Sequence, residues 1–266
     1  MSDLSVGVSE SVPILSAVWS KITSSPRRLL MLDYDGTVAA FRSERERAVP
    51  SRRMRDALRG VVMLGEPVIV VSGRPVNQLL ELLNGIPVDL VGEHGWEELT
   101  HTGIRRVHGL PQTTVTRLGL AYRAAAACGW RAHLEVKRAS VVLHTRNMAP
   151  QAAQTLEQHC RELWARFFER DGLRLEDVDG GLELRATQRG KGTVMWEAAQ
   201  REPEGTLPVY LGDDVADEDA FRVLRPFGVT IRVGRPHLPT AAEWRLGSVD
   251  DVAAFLEHWK TAVARR

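Results

Sequence analysis

Two short acidic segments of this 266-residue chain carry the side chains best suited to catalysis, and both follow apolar runs. The segment 32–37, Leu-Asp-Tyr-Asp-Gly-Thr, contains Asp33 and Asp35, and the segment 212–219 reads Gly-Asp-Asp-Val-Ala-Asp-Glu-Asp. Residues two apart at the end of an extended strand point to the same side, so Asp33 and Asp35 can face one site. Carboxylates that close repel each other unless a cation lies between them, and Mg²⁺ prefers oxygen ligands. The two segments therefore predict one shared divalent-metal site.

Each acidic segment also has a purely structural interpretation. The first forms a capped strand–loop turn with solvated aspartates if nothing binds there. The second supplies an acidic first turn to the following helix, which the helix dipole stabilises. Both roles are compatible if Asp213 and Asp214 enter the site while 217–219 organise the turn. A calcium-binding EF-hand is excluded, because Val215 occupies the third loop position.

Two further polar segments follow a predicted strand or open a predicted helix. Ser72 follows the apolar run 67–71, where a hydroxyl and free backbone N–H groups can hold a phosphate oxygen; an ordinary helix N-cap is the alternative. Lys191 stands between two glycines at a helix opening, where its ammonium can neutralise a phosphoryl group or a nucleophilic carboxylate. The segment is not a P-loop, since Gly192 stands where Ser or Thr is required. A solvated surface lysine is the alternative, in a chain with four lysines.

The elements that must position these residues alternate along the chain. Apolar runs at 28–33, 67–71, 88–91, 208–211 and 229–233 each end in a polar or glycine turn, with helical spacing between them. Strand and helix in alternation predict an α/β fold with a Rossmann-like, doubly wound parallel sheet. Ligands of such folds bind beyond the carboxyl ends of the strands, which is where the polar segments fall.

The pattern changes between residues 102 and 186. Helical segments at 118–127 and 152–166 alternate there with paired strands, and apolar and polar residues alternate in 140–146. Such alternation indicates a sheet with one open face. We therefore predict an α+β module at 102–186, inserted into a core domain of 27–101 and 187–266. Residues 1–26 form a helical N-terminal extension.

Composition excludes several classes of function. The chain has 35 Lys and Arg residues against 34 Asp and Glu, so no excess positive charge attracts nucleic acid. Its two cysteines cannot build a disulfide framework or a four-thiolate metal site. Apolar runs are shorter than the roughly 18 residues of a membrane-spanning helix, and no secretory signal is evident. We expect a cytoplasmic globular protein that contacts neither membrane nor nucleic acid.

Taken together and in this order, the motifs resemble those of the haloacid dehalogenase superfamily, and more closely those of the trehalose-6-phosphate phosphatase family. The resemblance spans about 27–235. In the core it rests on 32–37, 71–74, 92–95, 190–192 and 212–221. In the inserted module, which the resemblance identifies as a cap domain, it rests on Glu135, Lys137, Ser140, His144 and Arg146, and on Glu183 with Arg185.

The resemblance implies a role for each core motif. Asp33 is the nucleophile and Asp35 the general acid and base, while Ser72 and Lys191 bind the phosphoryl oxygens. Mg²⁺ is held by Asp33, the main-chain carbonyl of Asp35 and Asp213, with Asp214 either as a direct ligand or as a support behind the ligands. The substrate-binding residues implied are Gly36, Thr37, Gly73, Arg74, Glu93, His94, Glu135, Lys137, Arg146 and Glu183.

The implied reaction is Mg²⁺-dependent hydrolysis of a disaccharide phosphate, trehalose 6-phosphate, through an aspartyl-phosphate in a stand-alone, monomeric enzyme. Alternatives are a related phosphatase acting on sucrose phosphate or mannosylglycerate phosphate, and a catalytically silent sugar-phosphate sensor. A sensor should have lost catalytic residues that are all present here. For the polar residues of the cap, a ladder of cross-strand pairs on the solvent face is the structural alternative.

Overall fold

Two β-sheets organise the chain in the computed structural model, which describes residues 12–42, 47–168, 172–178, 180–234 and 237–264. The helices are α1 Val12–Ser24, α2 Arg52–Val62, α3 Val76–Leu83, α4 Gln112–Ala125, α5 Pro150–Phe168, α6 Lys191–Arg201, α7 Glu218–Leu224 and α8 Val249–Val263. The strands are β1 Arg27–Asp33, β2 Val68–Val71, β3 Asp89–Gly92, β4 Glu97–Leu99, β5 Arg105–Val107, β6 Leu134–Val136, β7 Ser140–His144, β8 Leu173–Val178, β9 Gly181–Ala186, β10 Thr206–Gly212, β11 Val229–Val233 and β12 Trp244–Leu246.

The larger sheet has the strand order β12-β11-β10-β1-β2-β3-β4-β5. Its strands from β12 to β3 run parallel, and β4 and β5 add antiparallel neighbours at one edge. The central strand β1 pairs Leu32 with Leu211 of β10 and Asp33 with Val71 of β2. The carboxyl ends of these three strands therefore meet at one edge, as predicted from the motifs.

Helices cover both faces of the larger sheet. Along β1, Leu30 and Leu32 pack into a cluster with α1, α2, α3 and α8, whereas Leu29 and Met31 pack with α6 and α7. A parallel strand buried on both sides favours apolar residues at successive positions, which explains the continuous apolar run at 29–32. The doubly wound α/β fold predicted from the sequence is confirmed.

The smaller sheet is antiparallel, with the order β6-β7-β9-β8. One face, including Val141 and Leu184, packs against α4 and α5, where Trp164 is fully buried and donates a hydrogen bond to the carbonyl of Ala121 at 3.1 Å. The open face predicted from 140–146 is not seen in β7: Val142 lies on the face opposite Val141, but it is 1% exposed and lines a cavity shared with the larger sheet. This α+β module is the predicted cap.

One boundary is corrected by the structure. Strand β5 lies within the segment 102–186 that we assigned to the cap, yet it pairs with β4 in the larger sheet. An antiparallel hairpin at the sheet edge keeps these residues in the core, so the inserted segment begins after Val107. Helix α1 accounts for part of the predicted N-terminal extension, of which residues 1–11 lie outside the described residues. The rest of the domain division stays a prediction.

Within the described ranges, no helix combines the length and the apolarity that a bilayer crossing demands. The cytoplasmic location and the monomeric state stay predictions.

Candidate active site

The end of β1 and the start of α6 meet in a buried ion-pair cluster. Asp33, the last residue of β1, is 4% exposed, and its Oδ1 accepts a hydrogen bond from Lys191 Nζ at 2.6 Å. The same ammonium donates to Asp217 Oδ1, also at 2.6 Å. Burial opposes the charged form of Lys191, but the charges of Asp217 and Asp33 outweigh it and raise the pKa of this lysine above its ordinary range. A fixed positive charge therefore lies against the predicted nucleophile.

Asp213 lies beside this cluster with one oxygen unsatisfied. Asp33, Asp213 and Asp217 each present a carboxylate oxygen within 4.8 Å of the others, and Asp213 Oδ1 is buried without a hydrogen-bond partner. Burial and the charge of Asp217 raise the pKa of Asp213 to about 7, and burial raises the pKa of Asp33 well above its usual value. Gly36 permits this approach: its φ is +80°, and a Cβ there would lie 2.3 Å from Asp213 Oδ2.

These residues fit a divalent cation. The donors are all carboxylate oxygens, their mutual repulsion disfavours the ionised forms, and one buried oxygen of Asp213 has no hydrogen-bond partner. Asp33 and Asp213 are the residues able to hold an ion. Asp217 is already engaged, because its Oδ1 accepts from Lys191 and its Oδ2 from the backbone N–H of Asp214 at 2.9 Å.

Asp214, which we predicted as a direct or supporting residue of the metal site, caps a turn in the structure. Its Oδ1 accepts the backbone N–H of Val215 at 2.7 Å and caps the short helical turn 215–217. Asp214 is exposed and is not among the described carboxylates that converge, although it lines the same cavity as Asp33 and Asp213. Its part in metal binding stays a prediction.

Asp35 faces the same cleft but is paired with an arginine. Arg74, which is 1% exposed, donates from Nε to Asp35 Oδ2 at 2.7 Å and from Nη2 to Oδ1 at 2.6 Å. Ser72 fixes the turn that carries this arginine, because its Oγ accepts the backbone N–H of Arg74 at 3.1 Å. Both Asp35 oxygens are thus engaged as acceptors in this arrangement.

A left-handed turn after β3 joins this region to the cap. Glu93 and His94 have φ values of 47° and 56°, a conformation that non-glycine residues rarely adopt and that concentrates at functional sites. The His94 ring lies against Gly73, where a Cβ would be 2.5 Å from Nε2. The His94 backbone N–H donates to the carbonyl of Ser72 at 3.0 Å. Burial lowers the pKa of this histidine.

Lys137 and Glu183 form the buried polar wall on the cap side. Lys137 Nζ donates to Glu183 Oε1 at 3.2 Å and to the carbonyl of Gly73 at 3.4 Å, so it bridges cap and core. Glu183 Oε1 also accepts from Ser140 Oγ at 2.5 Å, and its Oε2 lies 3.6 Å from His94 Nε2. Burial opposes the charge of Glu183, but His94 and Lys137 hold its pKa well below the usual range.

A single cavity between the two sheets collects most of the predicted site residues. Those lining it are Asp33, Asp35, Ser72, Gly73, Arg74, His94, Lys137, Arg146, Glu183, Lys191, Asp213 and Asp214. Arg146 reaches the core at its mouth, donating from Nη1 to the carbonyl of Arg42 at 3.2 Å. Sequence reasoning missed the apolar part of the lining, Phe41, Val142 and Val178.

Four predicted substrate-binding residues do not line this cavity. Gly36 and Thr37 lie in the turn beneath it, and Glu93 accepts the backbone N–H of Arg138 at 2.8 Å, which ties the core to the cap. Glu135 pairs with His144 at 2.8 Å and lines a separate groove.

The position of Glu135 follows from strand order. Glu135 lies opposite Val142 and Val142 opposite Glu183, so the two glutamates share a face. They are separated by two strand spacings, about 10 Å. Glu135 lines a separate groove because β6 is the edge strand, and its predicted part in substrate binding stays a prediction.

Asp217 and Tyr210 are the site residues that sequence reasoning missed or underrated. We assigned Asp217 to the turn alone, but it also binds Lys191 and accepts a hydrogen bond from the hydroxyl of Tyr210. Both residues are fully buried. The spacing of four between Asp213 and Asp217 gave no reliable signal, because Asp213 precedes the helical turn 215–217 and does not share a helix face with Asp217.

Comparison with known proteins gives a consistent result. The sequence profile of the trehalose-phosphatase family matches residues 31–250. A trehalose-6-phosphate phosphatase of Escherichia coli strain K12 is 28% identical over 240 residues, which cover 88% of this chain and 87% of that protein. An uncharacterized glycosyl hydrolase of Mycobacterium tuberculosis is 33% identical over 255 residues, 89% of this chain but 18% of the larger protein.

Solved structures share the fold. The C-terminal domain of the Candida albicans trehalose-6-phosphate phosphatase superposes with a TM-score of 0.79 at 18% identity, covering 92% of this chain and 96% of that domain. A haloacid dehalogenase-like hydrolase of Bacteroides thetaiotaomicron gives a TM-score of 0.64 at 16% identity, covering 87% and 99%. The core and cap therefore have the architecture of haloacid dehalogenase-like phosphatases.

Proposed function

Since the chain belongs to the trehalose-phosphatase family, we propose that it hydrolyses trehalose 6-phosphate to trehalose and inorganic phosphate with the help of Mg²⁺. At the coarser level the chain is an enzyme, a phosphoric monoester hydrolase. The observation that carries the finer proposal is the meeting of Asp33, Asp213 and Lys191 in one cavity with Lys137 and Glu183 of the cap.

Asp33 supplies the nucleophile. One of its oxygens attacks phosphorus while the bond between phosphorus and the sugar oxygen breaks, which gives an aspartyl-phosphate. Lys191 orients the carboxylate through its 2.6 Å hydrogen bond, and Lys191 and Ser72 neutralise the phosphoryl oxygens. A water molecule then attacks phosphorus, the bond to Asp33 breaks, and inorganic phosphate leaves.

Asp35 moves the protons in both steps. It gives a proton to the departing sugar oxygen and then takes one from the attacking water. Because both of its oxygens accept from Arg74, this transfer requires the ion pair to open. Arg74 lines the same cavity, and a phosphate dianion is a strong bidentate partner for a guanidinium. Substrate binding thus releases Asp35 by drawing Arg74 to the phosphoryl group.

Asp33, Asp213 and the main-chain carbonyl of Asp35 would hold the Mg²⁺ ion. When bound there, the ion supplies positive charge that stabilises the phosphoryl oxygens in the transition state. The raised pKa values of Asp33 and Asp213 support this assignment, since burial and crowding disfavour two free carboxylates.

The cap selects the sugar and excludes water. Lys137 and Glu183 present a buried donor and a buried acceptor to the cavity, a combination suited to sugar hydroxyl groups. Water excluded by the closed cap cannot compete for the proton that Asp35 must deliver.

Phosphate release from trehalose 6-phosphate, with Mg²⁺ and with excess EDTA, tests the proposal. We expect turnover that requires the metal, and a kcat/KM at least about tenfold above that for sucrose 6-phosphate, mannosylglycerate phosphate or glucose 6-phosphate. Preference for another member of the panel would replace the assignment by a related sugar phosphatase. Tight binding of trehalose 6-phosphate without any hydrolysis would identify a sensor instead.

A further inference from the structure

A buried arginine lies directly behind the acidic turn that contributes Asp213. Arg232, on β11, is 1% exposed, and its Nη2 donates to the main-chain carbonyl of Asp213 at 2.8 Å. Its Nη1 donates to Glu218 Oε1, and Glu218 Oε2 accepts the backbone N–H of Ala241 at 2.7 Å. One guanidinium and one carboxylate therefore tie together the turn after β10, the start of α7 and the segment before β12.

The contacts of Arg232 hold in place an acidic turn whose carboxylates repel one another. Five of the seven residues in 213–219 are acidic, and among the described residues Asp213 Oδ1 is held buried without a partner. A turn without these contacts could rotate Asp213 toward water, which would solvate its buried oxygen. The hydrogen bond from Arg232 fixes the Asp213 peptide group, and the ion pair with Glu218 fixes Arg232 in turn. Gly36 leaves room for the fixed carboxylate on the other side.

We propose that Arg232 and Glu218 are positioning residues for the metal site, which keep Asp213 oriented toward Asp33 before any ion arrives. The inference rests on the metal assignment made under the proposed function, and it adds residues to which no role has been given. Neither side chain lines the catalytic cavity, so they act through the Asp213 peptide group and not through contact with substrate. Outer contacts of this kind are generally worth 10–100-fold in metal affinity.

Mn²⁺ titration of the full-length protein without substrate, followed by electron paramagnetic resonance of the free ion, tests the proposal. We expect Arg232→Met to weaken Mn²⁺ binding by about 10–100-fold and Glu218→Gln by about tenfold. Arg232→Lys should lie between wild type and Arg232→Met, because an ammonium keeps the charge but lacks the planar fork that bonds both partners.

The chain provides a matched control on the same helix. Arg222 pairs with Asp219 at 2.6 Å, but both side chains are more than half exposed. Arg222→Met should leave Mn²⁺ affinity within about twofold of wild type, since exposed pairs contribute little. Thermal melts in EDTA establish which variants are folded; if Arg232→Met is not, Glu218→Gln and Arg232→Lys decide the matter.

The outcomes separate this inference from the function on which it rests. Wild-type protein that binds no Mn²⁺ overturns both the metal assignment and the inference. Wild-type binding together with unchanged affinity in folded Glu218→Gln and Arg232→Lys overturns the inference alone, even if both variants melt at lower temperature. Weakened binding in those variants, with Arg222→Met unchanged, establishes the positioning role.

Discussion

We call the buried core cluster of Asp33, Lys191, Asp213 and Asp217 the floor of the cavity, and the cap strands β6, β7 and β9 its roof. Floor and roof use similar charged residues in different ways. On the floor, Lys191 is 5% exposed and is bonded to two aspartates within one continuous cluster. The roof contains two ion pairs that differ in burial. The pair of Lys137 with Glu183 is buried and reaches the core. In the pair of His144 with Glu135, both side chains are more than a third exposed and neither lines the cavity.

The difference shows that strand position, and not residue type, assigns a role to a charged side chain. Breaking a buried ion pair leaves an uncompensated charge, with a penalty of about 3–5 kcal/mol, while exposed pairs are worth about 0–1 kcal/mol. The parallel register of β1 with β2 and β10 brings the ends of these strands together, and the floor residues beside them are buried. The roof is an antiparallel sheet whose edge strand β6 carries Glu135, so the pair of Glu135 with His144 lies away from the site.

Asp33→Asn should have the largest effect, because an amide cannot attack phosphorus as a carboxylate does. We expect kcat for trehalose 6-phosphate to fall by at least about 10³-fold, measured by phosphate release at saturating Mg²⁺. The thermal midpoint in EDTA should not fall, since the substitution removes one of several crowded carboxylates. Retention of more than about a tenth of wild-type kcat would contradict a covalent role for Asp33.

Substitutions of the two cap glutamates, Glu183 and Glu135, should have different effects on KM. Glu183→Gln should raise KM for trehalose 6-phosphate by about 10–100-fold, because it weakens hydrogen bonds of a charged group worth about 1.5–3 kcal/mol. Glu135→Gln, the matched change on the outer strand, should leave KM within about twofold. Hydrolysis of phenyl phosphate serves as the control that lacks a sugar. An equal loss on phenyl phosphate, or an equal effect at both glutamates, would show that the roof does not select the sugar as inferred.

A third effect concerns the stability of the metal-free cluster around Asp213 and is measured by unfolding and not by turnover. The pKa of Asp213 is about 7 when folded and near 4 when unfolded, so the folded state binds the extra proton between these values. Stability of the metal-free protein should therefore fall as pH rises from about 4 to about 7. Asp213→Asn should remove this loss and stabilise the protein by roughly 2–4 kcal/mol at pH 8, where one pKa unit is worth about 1.4 kcal/mol.

Urea unfolding in EDTA at pH 4 and pH 8 measures this difference between wild type and variant. The two should have nearly the same stability at pH 4 and diverge progressively toward pH 8. Added Mg²⁺ should stabilise the wild type and not Asp213→Asn. If Asp213→Asn is less stable than wild type at pH 8, the ionised Asp213 carboxylate does not destabilise the metal-free protein, and the inference is wrong.

Much of the core was predictable because its central strands are mostly apolar and end in polar turns. The prediction placed Asp33, Ser72, Lys191 and Asp213 at one edge, and the structure brings them into one cavity. The hairpin of β4 and β5 was missed, since strands of three residues give too short a periodic pattern to detect.

The sequence by itself determined the chemistry available at the carboxyl edge, because adjacent parallel strands must end together whatever the rest of the chain does. Only the tertiary structure decided which acidic residues share it. Asp217, buried in the short helical turn that Asp214 caps, enters the cluster while Asp214 stays exposed. Glu183 enters the cavity without Glu135 because two strand spacings separate them. Both outcomes depend on local turn geometry and strand order, which the spacing of residues along the chain does not reveal.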